Sequence, residues 1–305
     1  MIFTAAVNLT DKDYEAFQAE DKVLSYDEKE VDGLRIEDGT DSVLLKKQEG
    51  KWLLPESGGF PANQSSVEQL LGKLTTMKKG WPVTKTRSAL RRFKVDEEQF
   101  ERKLVLLAGD EAQATLYVGA SPGFRKVYVR AENEDDVYAV MFNTWDAGAK
   151  ADEWIDKDVL TLDESDVYRV EMPGVVLQWE DGKPQVADLG ENELTNEKES
   201  RFLLGKLTKL RIQSLLGTEV KPEYQQDELA LEVKITRKGG EILTYRFSKS
   251  EDASYYILKR SDLDHYFKVA EYTVNLIKQT TRGKLVQARS EEASSELTGD
   301  KGDEK

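Results

Sequence analysis

The sequence predicts an α+β fold made of two tandem repeats, each an antiparallel sheet with a helix packed against it. Three observations predict it. The hexapeptide LLGKLT occurs twice, at Leu70–Thr75 and at Leu203–Thr208. Both copies are flanked by segments in which apolar and polar residues alternate, as in strands that bury one face. Tight-turn pairs, Glu49-Gly50 and Asp181-Gly182, interrupt these segments and favour antiparallel hairpins.

The two LLGKLT segments are predicted to lie in amphipathic helices. Apolar residues recur at the spacing of one helix face in both copies: Leu70, Leu71, Leu74 and Met77 in the first, and Leu203, Leu204, Leu207 and Leu210 in the second. Ser65 and Ser66 are predicted to start the first helix and Gly80 to end it. Thr195 and Asn196 are predicted to start the second. Such a stripe is typical of a core, so these leucines are expected to be buried.

Each repeat is predicted to continue from its LLGKLT helix through four more strands to a closing helix. The closing helices are placed near residues 143–151 and 270–281, and the join between the repeats near residues 154–164. The predicted organisation is an N-terminal segment 1–30, a first α+β repeat 31–155, a second α+β repeat 160–286 and a tail 290–305. The tail is small, polar and acidic, a composition typical of disorder.

The composition excludes several classes of function. The chain has 305 residues, with 44 Lys and Arg against 58 Asp and Glu, and a net charge of −14. Nucleic-acid binding depends largely on cations that neutralise phosphates, so no nucleic-acid partner is expected. The absence of cysteine removes disulfides, thiolate metal sites and cysteine nucleophiles. The opening MIFTAAV fits either an N-terminal strand or frayed end, or the outer stub of a membrane anchor.

The sequence contains no recognisable catalytic motif. His265 is the only histidine, and its place beside aromatic residues at the start of a predicted strand favours a structural or surface role. Acidic runs occur at 27–30, 96–101 and 132–136, and their predicted turn positions favour a solvated surface over a pair of catalytic carboxylates. Calcium binding at 132–136 is an alternative, but the ligand spacing of a calcium loop is absent. No metal and no cofactor are assigned.

The segment GASPGFRKVYVR, residues 119–130, is the candidate binding site. Pro122-Gly123 predicts a tight turn with a positive φ at the glycine. Phe124, Arg125 and Lys126 follow it, and an aromatic ring beside two cations suits an acidic or planar group. The second repeat has SKSEDASYYILK at this position, so the fold itself does not require the cations. The alternative is an ordinary hairpin whose cations are merely solvated.

Two further features, a basic run and the tryptophans, are predicted to have structural roles. The basic run Thr84–Lys94 is predicted to pair with the acids of 96–101; a contact with an acidic partner or with lipid headgroups is the alternative. The tryptophans flank apolar runs and are predicted to be mostly core: Trp52, Trp81, Trp145, Trp154 and Trp179.

The order of these motifs resembles domain-of-unknown-function family 4340 (DUF4340). The resemblance rests on GKWLLPESGGFPANQSSVEQLLGKL, ATLYVGASPGFRKVYVR, DDVYAV and WIDKDVL, and it runs from about Val31 to Val286. It implies one N-terminal membrane-spanning segment, a soluble region outside the cytoplasm, and a genetic link to an ABC transporter of the gliding-motility type. The family has no established reaction and no agreed site residues. Glu97 and Glu98 stand where members often have a proline, a departure that affects only a loop.

Together these inferences predict a non-enzymatic extracytoplasmic binding or accessory module of a membrane-associated complex. The resemblance implies transporter subunits as partners, and a periplasmic location with a tether to the inner membrane in the full-length protein. The alternatives are a hydrolase of cell-envelope polymers that uses surface carboxylates, and a purely structural assembly domain.

Overall fold

The computed structural model describes residues 21–249 and 253–289. The chain divides between Ile155 and Asp156 into two compact units, called unit 1 and unit 2 here. No helix in the described ranges is long and apolar enough to cross a bilayer. The opening MIFTAAV and the predicted tail 290–305 lie outside the described residues, and the predicted domain bounds stay predictions.

Unit 1 contains one antiparallel sheet with strand order β4-β3-β2-β1-β6-β7-β8-β9-β5. Its strands are β1 (Gly33–Glu37), β2 (Ser42–Gln48), β3 (Lys51–Leu54), β4 (Phe60–Pro61), β5 (Pro82–Thr84), β6 (Arg102–Ala108), β7 (Glu111–Val118), β8 (Lys126–Ala131) and β9 (Val137–Met141). Its helices are α1 (Gln64–Thr75) and α2 (Leu90–Phe93).

Unit 2 contains a second antiparallel sheet, with strand order β12-β11-β10-β15-β16-β17-β18-β14, and a separate β13-β19 ladder. The strands are β10 (Val167–Met172), β11 (Val175–Glu180), β12 (Lys183–Val186), β13 (Glu193–Thr195), β14 (Ile212–Leu215), β15 (Leu229–Arg237), β16 (Ile242–Ser248), β17 (Tyr255–Arg260), β18 (Tyr266–Ala270) and β19 (Val286–Ala288). The helices are α3 (Glu197–Thr208), α4 (Glu271–Lys278) and α5 (Arg282–Leu285). The α+β class with antiparallel sheets is therefore confirmed.

The two LLGKLT segments form the second halves of α1 and α3. Six of the seven leucines predicted to be buried are at most 2% exposed: Leu70, Leu74, Leu203, Leu204, Leu207 and Leu210. The predicted burial of Leu71 is wrong, since it is only half-buried at the margin of the buried face of α1. Asn196 caps α3, as predicted, by accepting a hydrogen bond from Glu199 N at 3.3 Å. Removing such a cap typically costs about 1 kcal/mol.

The predicted start and end of α1 are wrong. Asn63 caps it, accepting a hydrogen bond from Ser66 N at 2.9 Å, so Ser65 and Ser66 lie inside the helix. An asparagine side chain reaches the exposed N–H groups of the first turn, which lets the helix begin one turn earlier. The helix ends at Thr75, so Gly80 does not terminate it, and the buried Met77 lies beyond the helix.

The two predicted hairpins form with two-residue turns. Gln48 pairs with Lys51, and the intervening Glu49 and Gly50 have φ values of 49° and 81°. In unit 2 the intervening Asp181 and Gly182 have φ values of 49° and 76°. Two consecutive left-handed residues are what a type I′ hairpin turn requires.

The closing segments differ between the units. Residues 143–151 were predicted as a helix, but they contain only 3-10 turns, at Thr144–Ala147 and beginning again at Ala151. Gly148 between these turns is extended, with φ −64° and ψ 143°, which interrupts the helix. In unit 2, α4 lies within the predicted region, and α5 follows it. The prediction of four strands after the LLGKLT helix missed the short edge strands β5 and β14.

Candidate binding turn of unit 1

The candidate turn connects β7 to β8, and its centre differs from the prediction. Lys126 N donates to Gly123 O at 3.2 Å, so Phe124 and Arg125 are the two central residues. The residue with positive φ is Arg125, at 57°, rather than Gly123. Pro122 therefore precedes the turn, and Gly123 is its first residue rather than one of its two central residues. A left-handed conformation costs a non-glycine residue about 1–2 kcal/mol.

Hydrogen bonds hold the turn in place. Ser121 Oγ lies 2.7 Å from the carbonyl oxygens of both Gly123 and Lys126. Arg125 O accepts from Phe142 N at 3.2 Å, which ties the turn to the end of β9. These contacts offset the backbone strain and hold the backbone of Phe124 and Arg125 in place.

The base of the turn is packed against the segment that follows α2. Ala120 N donates to Phe93 O at 3.0 Å. A Cβ on the neighbouring Gly119 would lie 2.1 Å from the same oxygen, so only glycine permits this approach. Phe93 belongs to a small apolar cluster with Leu90, Val95, Tyr117 and Val137. The base of the turn is therefore packed against this apolar cluster.

The tip of the turn is exposed, as the sequence predicts. Phe124 is 85% exposed, and Arg125 and Lys126 are exposed beside it. The guanidinium carbon of Arg125 lies 4.8 Å from the centroid of the Phe124 ring, within cation–π range. Within residues 21–249 and 253–289, no carboxylate forms an ion pair with Arg125 or Lys126. The turn presents an aromatic face and two cations to solvent; its binding role stays a prediction.

Two of the five tryptophans are on the surface, so the expectation of core tryptophans is wrong for them. Trp52, Trp154 and Trp179 are buried, whereas Trp81 is 78% exposed and Trp145 is 83% exposed. Trp81 precedes the edge strand β5, and Trp145 lies in a 3-10 turn only three residues after Phe142. Trp145 is therefore close in sequence to the residue that holds the candidate turn. Neither tryptophan lies in a segment with the periodicity of a strand or helix, so the sequence pattern does not indicate that it is exposed.

The basic run Thr84–Lys94 is largely neutralised within unit 1. Arg91 Nη2 lies 2.5 Å from Glu98, Lys94 Nζ lies 2.5 Å from Glu101, and Arg87 Nη2 lies 3.6 Å from Glu97. The predicted pairing with the acids of 96–101 is confirmed for these three residues. Of the other two cations, Arg92 lies over the Phe93 ring at 5.4 Å, and Lys85 has no ion pair in the described part of the chain.

Arg130, at the end of the same segment, has a different environment from Arg125. It is 2% exposed, and its guanidinium carbon lies 4.6 Å from the Tyr117 ring, directly across the strand pair. Its Nε donates to Val95 O at 2.8 Å and its Nη1 to Glu132 O at 2.9 Å. Burial, with the nearby Glu132 carboxylate, raises the pKa of Tyr117 to about 12. Arg130 therefore binds protein carbonyls and is not available to a ligand.

Unit 2 also has a tyrosine and an arginine that lie directly opposite each other on neighbouring strands. Arg260 is 5% exposed, pairs across the sheet with Tyr245, and lies 5.6 Å from its ring. Asp262 holds it with two bonds, at 2.6 and 2.9 Å. Neither arginine stands out in the sequence as a buried residue. The only signal was an Arg continuing an alternating strand pattern, VYVR and YILKR.

The remaining candidates do not form a recognisable catalytic group. His265 is half-buried next to β18, and its ring lies 6.4 Å from that of Phe267. No group of three His, Asp or Glu side chains among the described residues is arranged to hold a metal ion. Of the acidic runs, 96–101 is engaged in the ion pairs given above.

Comparison with known proteins places the chain in a family. A model of the family described as "Domain of unknown function (DUF4340)" matches residues 52–229, more than half of the chain. The chain belongs to this family. The DUF4340 match begins in β3 and ends in β15, so it includes both LLGKLT helices and the candidate turn. No curated protein and no solved structure matches the chain.

Proposed function

We propose that the protein is a non-enzymatic binding module that recognises an acidic surface of a partner protein through the turn Phe124–Lys126. The observation that carries the proposal is Arg125, which is exposed and held in a left-handed conformation without a carboxylate partner among the described residues. A guanidinium can form two parallel hydrogen bonds with a carboxylate. The Phe124 ring supplies an apolar contact beside it.

We further propose that the partner is a subunit of a membrane complex. DUF4340 membership motivates this proposal, because the resemblance described above implies a genetic link to an ABC transporter of the gliding-motility type. On this proposal the module lies outside the cytoplasm, and a membrane anchor tethers the full-length protein.

Substitution of Arg125 tests the proposed binding role. Arg125→Ala should leave the melting temperature nearly unchanged, since the guanidinium forms no hydrogen bond or ion pair with the described residues and its one ring contact, with Phe124, is exposed. It should weaken association with the purified transporter subunits about tenfold, the loss expected for one charge-assisted pair. Arg35→Ala is the control, because Arg35 is also an exposed arginine of unit 1. Unchanged association in Arg125→Ala would contradict the proposal.

We also propose that the two units are tandem repeats that arose by duplication. Three observations support this: the sheets have corresponding strand orders, the LLGKLT helices α1 and α3 both run to the end of the hexapeptide, and Tyr117–Arg130 and Tyr245–Arg260 pair in the same way. In an experimental structure, superposing the sheets should align α1 with α3 and both tyrosine–arginine pairs. Misalignment of either would reject the duplication.

A further inference from the structure

A groove in unit 1 lies between α1 and the segment that leads into β1. Its cavity volume is about 410 Å³, enough for a small organic molecule. The apolar part of its wall comes from Val31, Trp52 and Leu71. Tyr26 and Thr75 also line it, joined by a hydrogen bond of 2.7 Å between their hydroxyls. The groove is separate from the candidate turn.

A glycine in the middle of α1 forms part of the groove wall. A Cβ on Gly72 would have no described atom within 4 Å, so nothing in the described structure prevents an alanine there. Glycine in a helix interior destabilises it by about 1 kcal/mol relative to alanine. The missing side chain leaves space beside the helix backbone, which a ligand can occupy.

The charges around the groove favour a cation. Glu68 is exposed on α1 and forms no ion pair with any described residue. Among the residues that the structure describes, Glu28 is paired only with Lys22, at 3.3 Å, and both side chains are more than half exposed. Lys47 Nζ lies 6.0 Å from the Trp52 ring, so the protein's own cation already lies over this aromatic face.

Unit 2 has the opposite charge at the matching helix position. Arg201 precedes the second LLGKLT by two residues, as Glu68 precedes the first. A Cβ on Gly205 would lie 3.8 Å from Glu164 Oε1, and that carboxylate is held by Lys209 at 3.0 Å. The chain therefore supplies a carboxylate beside this glycine, whereas the space beside Gly72 is open.

We propose that the unit 1 groove binds a small organic cation with an apolar body, of the arylalkylammonium class. The apolar body lies against Leu71 and in the space beside Gly72. The ammonium group lies near the exposed Glu68 carboxylate, while the Trp52 side chain, 2% exposed, contributes only to the apolar wall. This site does not depend on the proposed role of the candidate turn.

The test is an NMR titration of the full chain with phenethylammonium, compared with phenylacetate, an anion of similar size. Phenethylammonium should shift the Gly72 amide with a dissociation constant of about 10 mM or tighter, as expected for so small a ligand. Phenylacetate should not shift it. Equal shifts from both compounds, or no shift with phenethylammonium, would overturn the proposal.

Three variants test the assigned contacts. Glu68→Gln should weaken phenethylammonium binding about threefold by removing an exposed charge pair. Lys47→Gln should strengthen it, because it removes a like charge from the wall of the groove. Gly72→Ala should raise the melting temperature by about 2–4 °C and abolish the shift of the neighbouring amides.

Gly205→Ala is the matched control for the glycine. It should also raise the melting temperature, since the added Cβ has only an ordinary contact with Glu164, and it should leave phenethylammonium binding unchanged. If Gly72→Ala stabilises the protein but binding persists, the ligand does not occupy the space beside α1. If Lys47→Gln weakens binding, the groove does not favour a cation and the proposal is overturned.

Discussion

Arg125 and Arg130 are five residues apart in one segment, yet their chemical environments are opposite. Arg125 is in the strained left-handed region and meets solvent, while Arg130 is covered and bound by carbonyl oxygens. The strand alternation of VYVR places Arg130 on the sheet face covered by the α2 cluster. Arg125 is therefore suited to recognition, whereas Arg130 holds the segment 95–97 against the sheet.

Replacement of Arg130 should destabilise the protein. In Arg130→Ala the carbonyls of Val95 and Glu132 lose their donors and a cavity forms beside Tyr117. The free energy of unfolding should fall by about 3–5 kcal/mol, measured by urea denaturation. The exposed Arg92→Ala should change it by less than about 0.5 kcal/mol. A similar small loss for Arg130→Ala would mean that water replaces the guanidinium at no cost.

At the level of elements, the α1 and α3 helices depend on their buried leucine faces. Leu74 and Leu207 are both fully buried at the same position of LLGKLT. Leu74→Ala and Leu207→Ala should each lower the free energy of unfolding by about 2–5 kcal/mol. Leu71→Ala, at a half-buried position, should cost less. Calorimetry of the three variants measures this order, and an equal loss at Leu71 would contradict the assigned faces.

The β13-β19 ladder should be sensitive to acid. Arg282 donates two hydrogen bonds to Glu193, at 3.0 and 2.5 Å, and lowers the pKa of that carboxyl to about 2 from 4.5. The pKa of Glu193 is lower in the folded than in the unfolded chain. The contribution of the Glu193–Arg282 pair to stability is therefore complete above the unfolded pKa, and it is lost as the pH falls from about 4.5 to 2.

Hydrogen exchange of the β19 amides measures this loss. Protection should decrease across that pH range in the native chain. Arg282→Gln should have weaker protection at neutral pH and little further change on acidification. Glu271 is a second carboxyl with a lowered pKa, because Lys249 bonds to it, so Lys249→Gln is the control for a general acid effect. If amide protection in Arg282→Gln has the same pH dependence as in the native chain, the acid sensitivity arises from another group.

For the whole molecule, the net charge of −14 governs solubility and non-specific association. The isoelectric point of the sequence is about 4.8. Solubility should therefore be lowest near that pH and rise toward neutrality, as precipitation assays would measure. The protein should also not be retained on immobilised duplex DNA at physiological salt. Retention there would contradict the exclusion of nucleic-acid partners.

The sequence alone determined the parts of the fold that depend on neighbours along the chain. Asp-Gly and Glu-Gly pairs specified two hairpin turns, because few residue pairs adopt two consecutive left-handed conformations. The repeated leucine spacing specified α1 and α3 and their buried faces. The family was also recognisable from the order of these motifs.

Only the tertiary structure decided which side chains are covered. Two tryptophans, Trp81 and Trp145, are exposed, and two arginines, Arg130 and Arg260, are buried. Both outcomes depend on segments that are distant in sequence, so the local periodicity of the sequence does not indicate them. The centre of the candidate turn moved to Phe124-Arg125 because Ser121 and Phe142 hold the backbone there. The groove beside Gly72 exists because a separate segment, 26–31, crosses near α1 without filling the space that the glycine leaves.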